Sequence, residues 1–187
     1  PGWFYRADED SRVKSAETLL DLWHKSVGRG ANLLLNVPPD RRGLIAEPDV
    51  AALMGLRKRL DQVYRKDLVQ SASASTWEAG AQPAISSTAS PPQRGGSRLE
   101  IRFAGVKTID RIVLGEDLRE GERVSRFSVF LEDGGTRRLA AQGTTIGRRR
   151  IVVFAPGQAS GASVEMETLD GCAAKIKLVQ AFGPNEE

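Results

Sequence analysis

The feature that most constrains this chain is Asn32-Leu33-Leu34-Leu35-Asn36-Val37, an apolar run without alternation, stopped by Pro38-Pro39. A strand with one wet face alternates apolar and polar residues. An unbroken run reads instead as a strand buried on both faces, the habit of parallel sheets. Helical patterns flank it. Between Ser15 and Val27 the apolar residues include positions 16, 19, 20, 23 and 27, one face of a 3.6-residue period. Ser15 is placed to cap that helix, Glu17 complements the dipole in its first turn, and Gly28 is available for a left-handed C-terminal position. A second pattern, from about Asp49 to Arg65, sets Val50, Leu53, Met54, Leu60 and Tyr64 on one side, with Pro48 in its first turn. Helix, buried strand, helix is the grammar of α/β proteins. One strand between two helices neither forms a closed sheet nor covers both of its own faces, so the expectation is that its partner strands lie outside this chain.

After Lys66 the period changes from 3.6 to 2. Residues 70–98 are rich in Ser, Ala, Gly and Pro and read as a linker or long irregular loops, which puts a domain boundary near 67. Beyond them Leu99-Glu100-Ile101-Arg102-Phe103 alternates strictly. Similar patterns recur at Ile109 to Leu114, Phe127 to Leu131 and Val164 to Leu169. Asp133-Gly134-Gly135 is a hairpin signal, with further breaks at Gly121, Gly143, Gly147 and Gly157. Short strands at this spacing predict an antiparallel sandwich.

Composition narrows the function. With 40% hydrophobic and 27% charged residues the 187-residue chain is an ordinary folded protein. Its longest apolar runs, Val50 to Met54 and Ile151 to Ala155, are far below the roughly 18 residues a membrane-spanning helix needs. A single Cys172 closes no intrachain disulfide, and one His24 leaves no Cys/His cluster for a structural metal, so neither metal nor cofactor is expected. The net charge of +3 rests on 20 Arg scattered among acidic residues, not gathered on one face as a nucleic-acid binder requires. Pro1-Gly2-Trp3-Phe4-Tyr5 has neither an initiator Met nor a signal-like or transit-like character, as expected of a fragment or a mature terminus. The compartment is left open.

Two segments carry a resemblance. Pro1-Gly2-Trp3-Phe4-Tyr5, Val13-Lys14-Ser15, Lys25-Ser26-Val27-Gly28-Arg29 and the whole run from Asn32 to Ile45 resemble the end of the catalytic barrel of family 29 glycoside hydrolases, the α-L-fucosidases. Arg123-Val124, Phe127-Ser128-Val129, Gly143-Thr144-Thr145-Ile146-Gly147 and Arg150-Ile151 are similar to the C-terminal discoidin-like, or galactose-binding-like, β-sandwich of a subgroup of those enzymes. The resemblance implies an α/β plus all-β chain: residues 1–66 as the terminal βα units of a TIM-like (β/α) barrel, and residues 67–187 as an antiparallel sandwich. It also implies a retaining hydrolase that removes terminal α-L-fucose from glycans through an Asp nucleophile and an acid/base carboxylate. Both carboxylates are expected before Pro1, so no catalytic residue is assigned in this chain and the chain alone is expected to be inactive. Its partners would be a fucosylated glycan and the remainder of the barrel. A secreted, periplasmic or lysosomal-type location follows if the chain behaves as the family does.

The substrate-binding candidates are Trp3, Phe4, Tyr5 and Asn36. Trp3, Phe4 and Tyr5 match the family's aromatic segment, and an aromatic at the pocket rim supplies an apolar wall for the C5 methyl group and C–H face of fucose, with core packing as the competing reading. Asn36 and the Pro38-Pro39-Asp40 turn follow the predicted strand, where barrel enzymes place their chemistry. Relatives usually carry His where Arg6 stands.

Other constellations read as structural. Asp8-Glu9-Asp10 are adjacent loop carboxylates expected to point into water, not a pair facing each other across a bond. His24 has no Gly-x-Ser-x-Gly elbow to serve, Gly28-Arg29-Gly30 is a turn that lacks a following Lys, and Cys172 is a packed or idle thiol. Trp77 and the loops at Gly80, Gly121 and Gly147 are weak candidates for sugar contact, against a buttressing role for the sandwich. A carbohydrate-binding or structural module without catalysis is the alternative to the hydrolase.

Overall fold

The computed structural model describes residues 2–77, 96–169 and 173–184. They fall into two compact units, Pro1–Arg65 and Lys66–Glu187.

The first unit is built on two helices, α1 (Ala16–Ser26) and α2 (Glu47–Val63). Ser15 caps α1 as its chemistry predicts, its hydroxyl accepting from Thr18 N at 3.2 Å. The chain then tightens into a 3-10 turn, Val27–Arg29, that carries it past Gly28, and the left-handed position (φ 81°) falls on Gly30 instead. Gly28 is buried within that turn. Pro48 stands in the first turn of α2, where its missing N–H costs nothing. The helices meet closely where Ala16 faces Gly55: a Cβ on Gly55 would sit 2.8 Å from that of Ala16. Their far ends are joined by a 2.8 Å hydrogen bond between His24 Nε2 and the Tyr64 hydroxyl, with the Trp23 ring 5.2 Å from that of Tyr64. Of the apolar face expected on α2, Leu53, Leu60 and Tyr64 are half-buried and Val50 and Met54 are exposed, while the fully covered residues are Leu56 and Val63, which lie outside the expected set.

Asn32 to Val37, expected as a strand, has no regular secondary structure. A strand exists only where neighbours take up its N–H and C=O groups, and no ladder among the described residues does so. Leu33 and Leu35 are half-buried and Leu34 is 93% exposed. The one pairing near the run is an isolated antiparallel bridge, Pro39 to Ile45.

Among the described residues the second unit forms an antiparallel sheet of six strands: β1 (Val69–Trp77), β2 (Gly96–Glu116), β3 (Val124–Asp133), β4 (Thr136–Gly143), β5 (Arg150–Thr168) and β6 (Ile176–Phe182). Its order is β1-β2-β5-β3-β4, with β6 also paired to β2. The long strands β2 and β5 organise it. The first half of β2 pairs with β1 and its second half with β6, while β5 lies beside β2 throughout, with register shifts between Arg102 and Lys107 and between Ile109 and Arg111. One apolar cluster takes Leu99, Ile101 and Phe103 from the first half of β2, Ile109, Ile112 and Leu114 from the second, and Phe127, Val129, Val164 and Met166 from β3 and β5. Both ends of the long strands therefore enclose one core. The predicted alternation over 99–103 is what places its apolar side chains inward. Burial is continuous from Ile109 to Glu116, where the strand is covered on both faces.

Gly134 (φ 53°) and Gly135 (φ 83°) form the two-residue turn between β3 and β4, both in the left-handed region that the hairpin's twist demands. β1 departs from the sequence reading: all of it but Val69 lies inside the stretch 70–98 taken for a linker, yet it pairs with 96–103. Pairing with a well-defined neighbour overrides the weak strand preference of Ser and Ala. At the start of β1, on the same side of β2 as β6, Asp67 Oδ1 accepts from Val69 N at 3.1 Å and from Ala181 N at 3.0 Å, and Leu68 N donates to Ala181 O at 2.9 Å. The start of the unit is thereby sewn to its last strand.

Candidate functional site

The substrate-binding candidates gather around one groove in the first unit. It has a volume of about 350 Å³ and is lined by the apolar sides of α1 and α2 (Leu19, Leu22, Leu53), by the leucine run and by Phe4, Tyr5 and Asn36. Trp3 is not among its lining residues. Trp3 is 80% and Phe4 84% exposed, and Tyr5 is half-buried. Within this chain Trp3 and Phe4 are therefore exposed and packed in no core.

The backbone that carries the aromatics is fastened. Asn36 Nδ2 donates to the carbonyl oxygens of Trp3 (3.2 Å) and Gly2 (3.4 Å), so the structure brings Asn36 and the aromatic segment together across 33 residues. Gly2 N donates to Glu9 Oε2 at 2.8 Å. The Tyr5 hydroxyl donates to Asp10 Oδ2 at 3.3 Å. Burial, and then the negative charge of Asp10, hold the Tyr5 phenol above its ordinary pKa. Arg6 reaches Asp8 at 3.4 Å and stays exposed.

The acidic triplet divides. Residues 7–12 form a 3-10 turn in which Asp8 points into water as expected. Glu9 does not: its side chain is only 14% exposed and its second oxygen accepts from Arg12 at 3.2 Å. No local sequence signal marks Glu9 for this, since its partner at Gly2 is a backbone amide. Glu9 and Asp10 line the groove together with Asp49.

After the leucine run, Asp40 closes a rigid turn. Its Oδ1 accepts from Arg42 N (2.7 Å) and Leu44 N (3.3 Å), and its Oδ2 takes the Arg42 guanidinium, which also reaches Glu47 at 2.8 Å. The hydrogen bonds from Arg42 hold the Asp40 and Glu47 carboxyls below their ordinary range and raise Arg42. Asp40 is thus spent on the turn.

In the second unit the loops proposed for sugar contact are tied down from inside. Glu116, 1% exposed, accepts from Arg123 N (3.0 Å) and Val124 N (3.1 Å) through Oε1 and from Gly147 N (2.8 Å) through Oε2. One carboxylate therefore staples the loop at Gly121 and the loop at Gly147 to the end of β2. The sequence reading did not single out Glu116. Earlier in the same strand, next to a register shift, Asp110 and Arg111 form a buried bidentate ion pair. Trp77 ends β1 opposite Gly96. Gly80 and Cys172 lie outside the described residues. Among the described residues no three His, Cys, Asp or Glu converge as a metal site, and no helix is long and apolar enough to cross a membrane.

Comparison with known proteins places these features in a family. Residues 1–62 match the model of the α-L-fucosidase family. The chain is 33% identical over 169 residues to "Putative alpha-L-fucosidase 1" of Oryza sativa subsp. japonica and 27% identical over 169 residues to alpha-L-fucosidase 1 of Arabidopsis thaliana; each match takes in 82% of this chain. It spans about a third of the length of these curated relatives, 32% and 33%. Among solved structures, a glycoside hydrolase 29 family member from an unknown rumen bacterium superposes with a TM-score of 0.78 at 30% identity, over 100% of this chain and 32% of that one. These matches are those of a fragment of a family 29 α-L-fucosidase.

Proposed function

We propose that this chain is the C-terminal portion of an α-L-fucosidase, a retaining enzyme that removes terminal α-L-fucose from glycans. The observation that carries the reading is the family match over residues 1–62, the segment that holds the aromatic triplet and the leucine run. In this reading residues 1–66 are the terminal βα units of the catalytic barrel and residues 67–187 a discoidin-like sandwich with a structural role. The exposure of Leu34 and the uncovered groove between α1, α2 and the run support the first part: further strands of the barrel are the natural occupants of that groove. Stapling of the second unit's loops by Glu116 supports a structural role for the sandwich over a sugar-binding one.

Retaining cleavage needs two carboxyl groups about 5–5.5 Å apart, one to attack the sugar and one to protonate the leaving oxygen and later activate water. Asp40 is committed to its turn and Glu9 to Gly2 and Arg12, so the reading assigns both catalytic carboxylates to sequence before Pro1. Residues of this chain act on binding, with Trp3, Phe4 and Tyr5 forming the apolar wall at the rim and Asn36 supporting them. The test is turnover of 4-nitrophenyl-α-L-fucoside. The 187-residue chain alone should be silent and a polypeptide extended before Pro1 by the missing barrel strands active; activity of the short chain at the rate of the long one overturns the assignment.

A further inference from the structure

We propose that Glu9 and Asn36 are positioning residues, a clamp that fixes the Gly2–Tyr5 backbone so that the Trp3 and Phe4 rings are offered to the apolar face of the bound deoxy sugar; this rests on the fucosidase reading above. Four hydrogen bonds hold the segment: Glu9 Oε2 to Gly2 N (2.8 Å), Asn36 Nδ2 to Trp3 O (3.2 Å) and to Gly2 O (3.4 Å), and the Tyr5 hydroxyl to Asp10 (3.3 Å). Three of the four end on backbone atoms of Gly2 and Trp3, and none engages the ring of Trp3 or Phe4. Those two rings remain 80% and 84% exposed; Phe4 lines the apolar groove and Trp3 lies outside its lining. The backbone is immobilised while the rings carry no bond of their own, the arrangement a binding wall needs. Glu9 suits the task because it is itself held: its other oxygen takes Arg12 at 3.2 Å and its side chain is largely covered. Asn36 then acts through Trp3 instead of touching the sugar, a different role from the direct contact expected of its place after the leucine run.

The experiment uses the full polypeptide that contains these residues, with 4-nitrophenyl-α-L-fucoside as substrate, free fucose as competitor and amide hydrogen exchange as the structural readout. Glu9→Ala should speed exchange at Gly2 about tenfold or more. It should raise KM and the fucose inhibition constant about fivefold with kcat within about twofold, and Glu9→Gln, which keeps an acceptor oxygen, should restore both. Asn36→Ala should do the same to KM. The decisive measurement is the cycle with Trp3→Ala: once the ring is gone, Glu9→Ala should add little further loss. Faster Gly2 exchange with unchanged KM, or fully additive losses in the cycle, overturns the clamp alone. A wild-type protein that neither cleaves the fucoside nor binds fucose overturns the fucosidase reading, and the clamp's sugar role with it.

Discussion

The two units spend their apolar side chains in opposite ways. In the second, Phe127, Val129, Ile109, Ile112, Leu114, Val164 and Met166 are all at most 1% exposed and belong to one cluster. In the first, the fully buried apolar residues are Leu19, Ala46, Leu56 and Val63, while Trp3, Phe4, Leu34 and Met54 stand in water. The difference teaches where each unit's stability comes from. A sheet paired on both sides of its central strands closes its own core, whereas two helices and an unpaired leucine run cover little more than one helix–helix seam.

Mutations can break that contrast, beginning where the effect is greatest. Phe127→Ala should cost the 187-residue chain about 3–5 kcal/mol in urea unfolding, since it removes a buried aromatic from a closed core. Glu116→Ala should cost about 3 kcal/mol, because it strands the amides of Arg123, Val124 and Gly147 without an acceptor. Glu116→Gln, which keeps one carbonyl oxygen, should recover part of that loss in the same assay. Gly143→Ala comes next at about 1–3 kcal/mol: a Cβ there falls on the Phe127 ring, and the well-packed core has no room to yield. Leu34→Ser should change stability by less than about 0.5 kcal/mol in this chain, as an exposed side chain has no packing to lose. A large loss at Leu34 would place the leucine run in a core of its own and erase the contrast between the units.

The smallest test concerns acid. Each unit carries the same local device, an Asp whose carboxylate takes the guanidinium of the Arg two residues on: Asp40 with Arg42, and Asp117 with Arg119. The hydrogen bonds from Arg119 hold Asp117 down to about 2 in the folded protein, against about 3.9 for a free carboxyl. A depressed folded value adds stability that is complete above about pH 4 and is lost as pH falls through about 2. Asp117→Asn should therefore flatten the acid limb of the stability profile between those two values, by lowering stability above about pH 4 and leaving it unchanged below about pH 2. Asp40, lowered in the same direction by Arg42, should behave alike, and unequal limbs would show that the closed unit holds its turn more firmly than the open one.

Much of this was legible in the residues, for reasons that differ by element. Leu99, Ile101 and Phe103 alternate because one face of β2 is wet there, and two consecutive glycines after Asp133 announce a turn that few other pairs tolerate. Ser15 signals its cap by chemistry alone. β1 was hidden because Ser and Ala carry no apolar stripe, and only its register with β2 makes it a strand. The leucine run shows the reverse failure: its pattern is that of a buried strand, but a strand is a property of its neighbours. At the candidate site, the aromatic triplet and Asn36 could be picked out from the chain, whereas Glu9 could not, because its partner is an amide with no side-chain signature. Glu116 escaped for the same reason, its third ligand lying 31 residues away.

The seam at Asp67 has a consequence for engineering. Because the carboxylate of Asp67 and the amide of Leu68 bind Ala181, the polypeptide enters and leaves the sheet unit at one corner. A body whose doorway and exit coincide can be lifted out as a cassette and spliced into a host loop without stretching either junction.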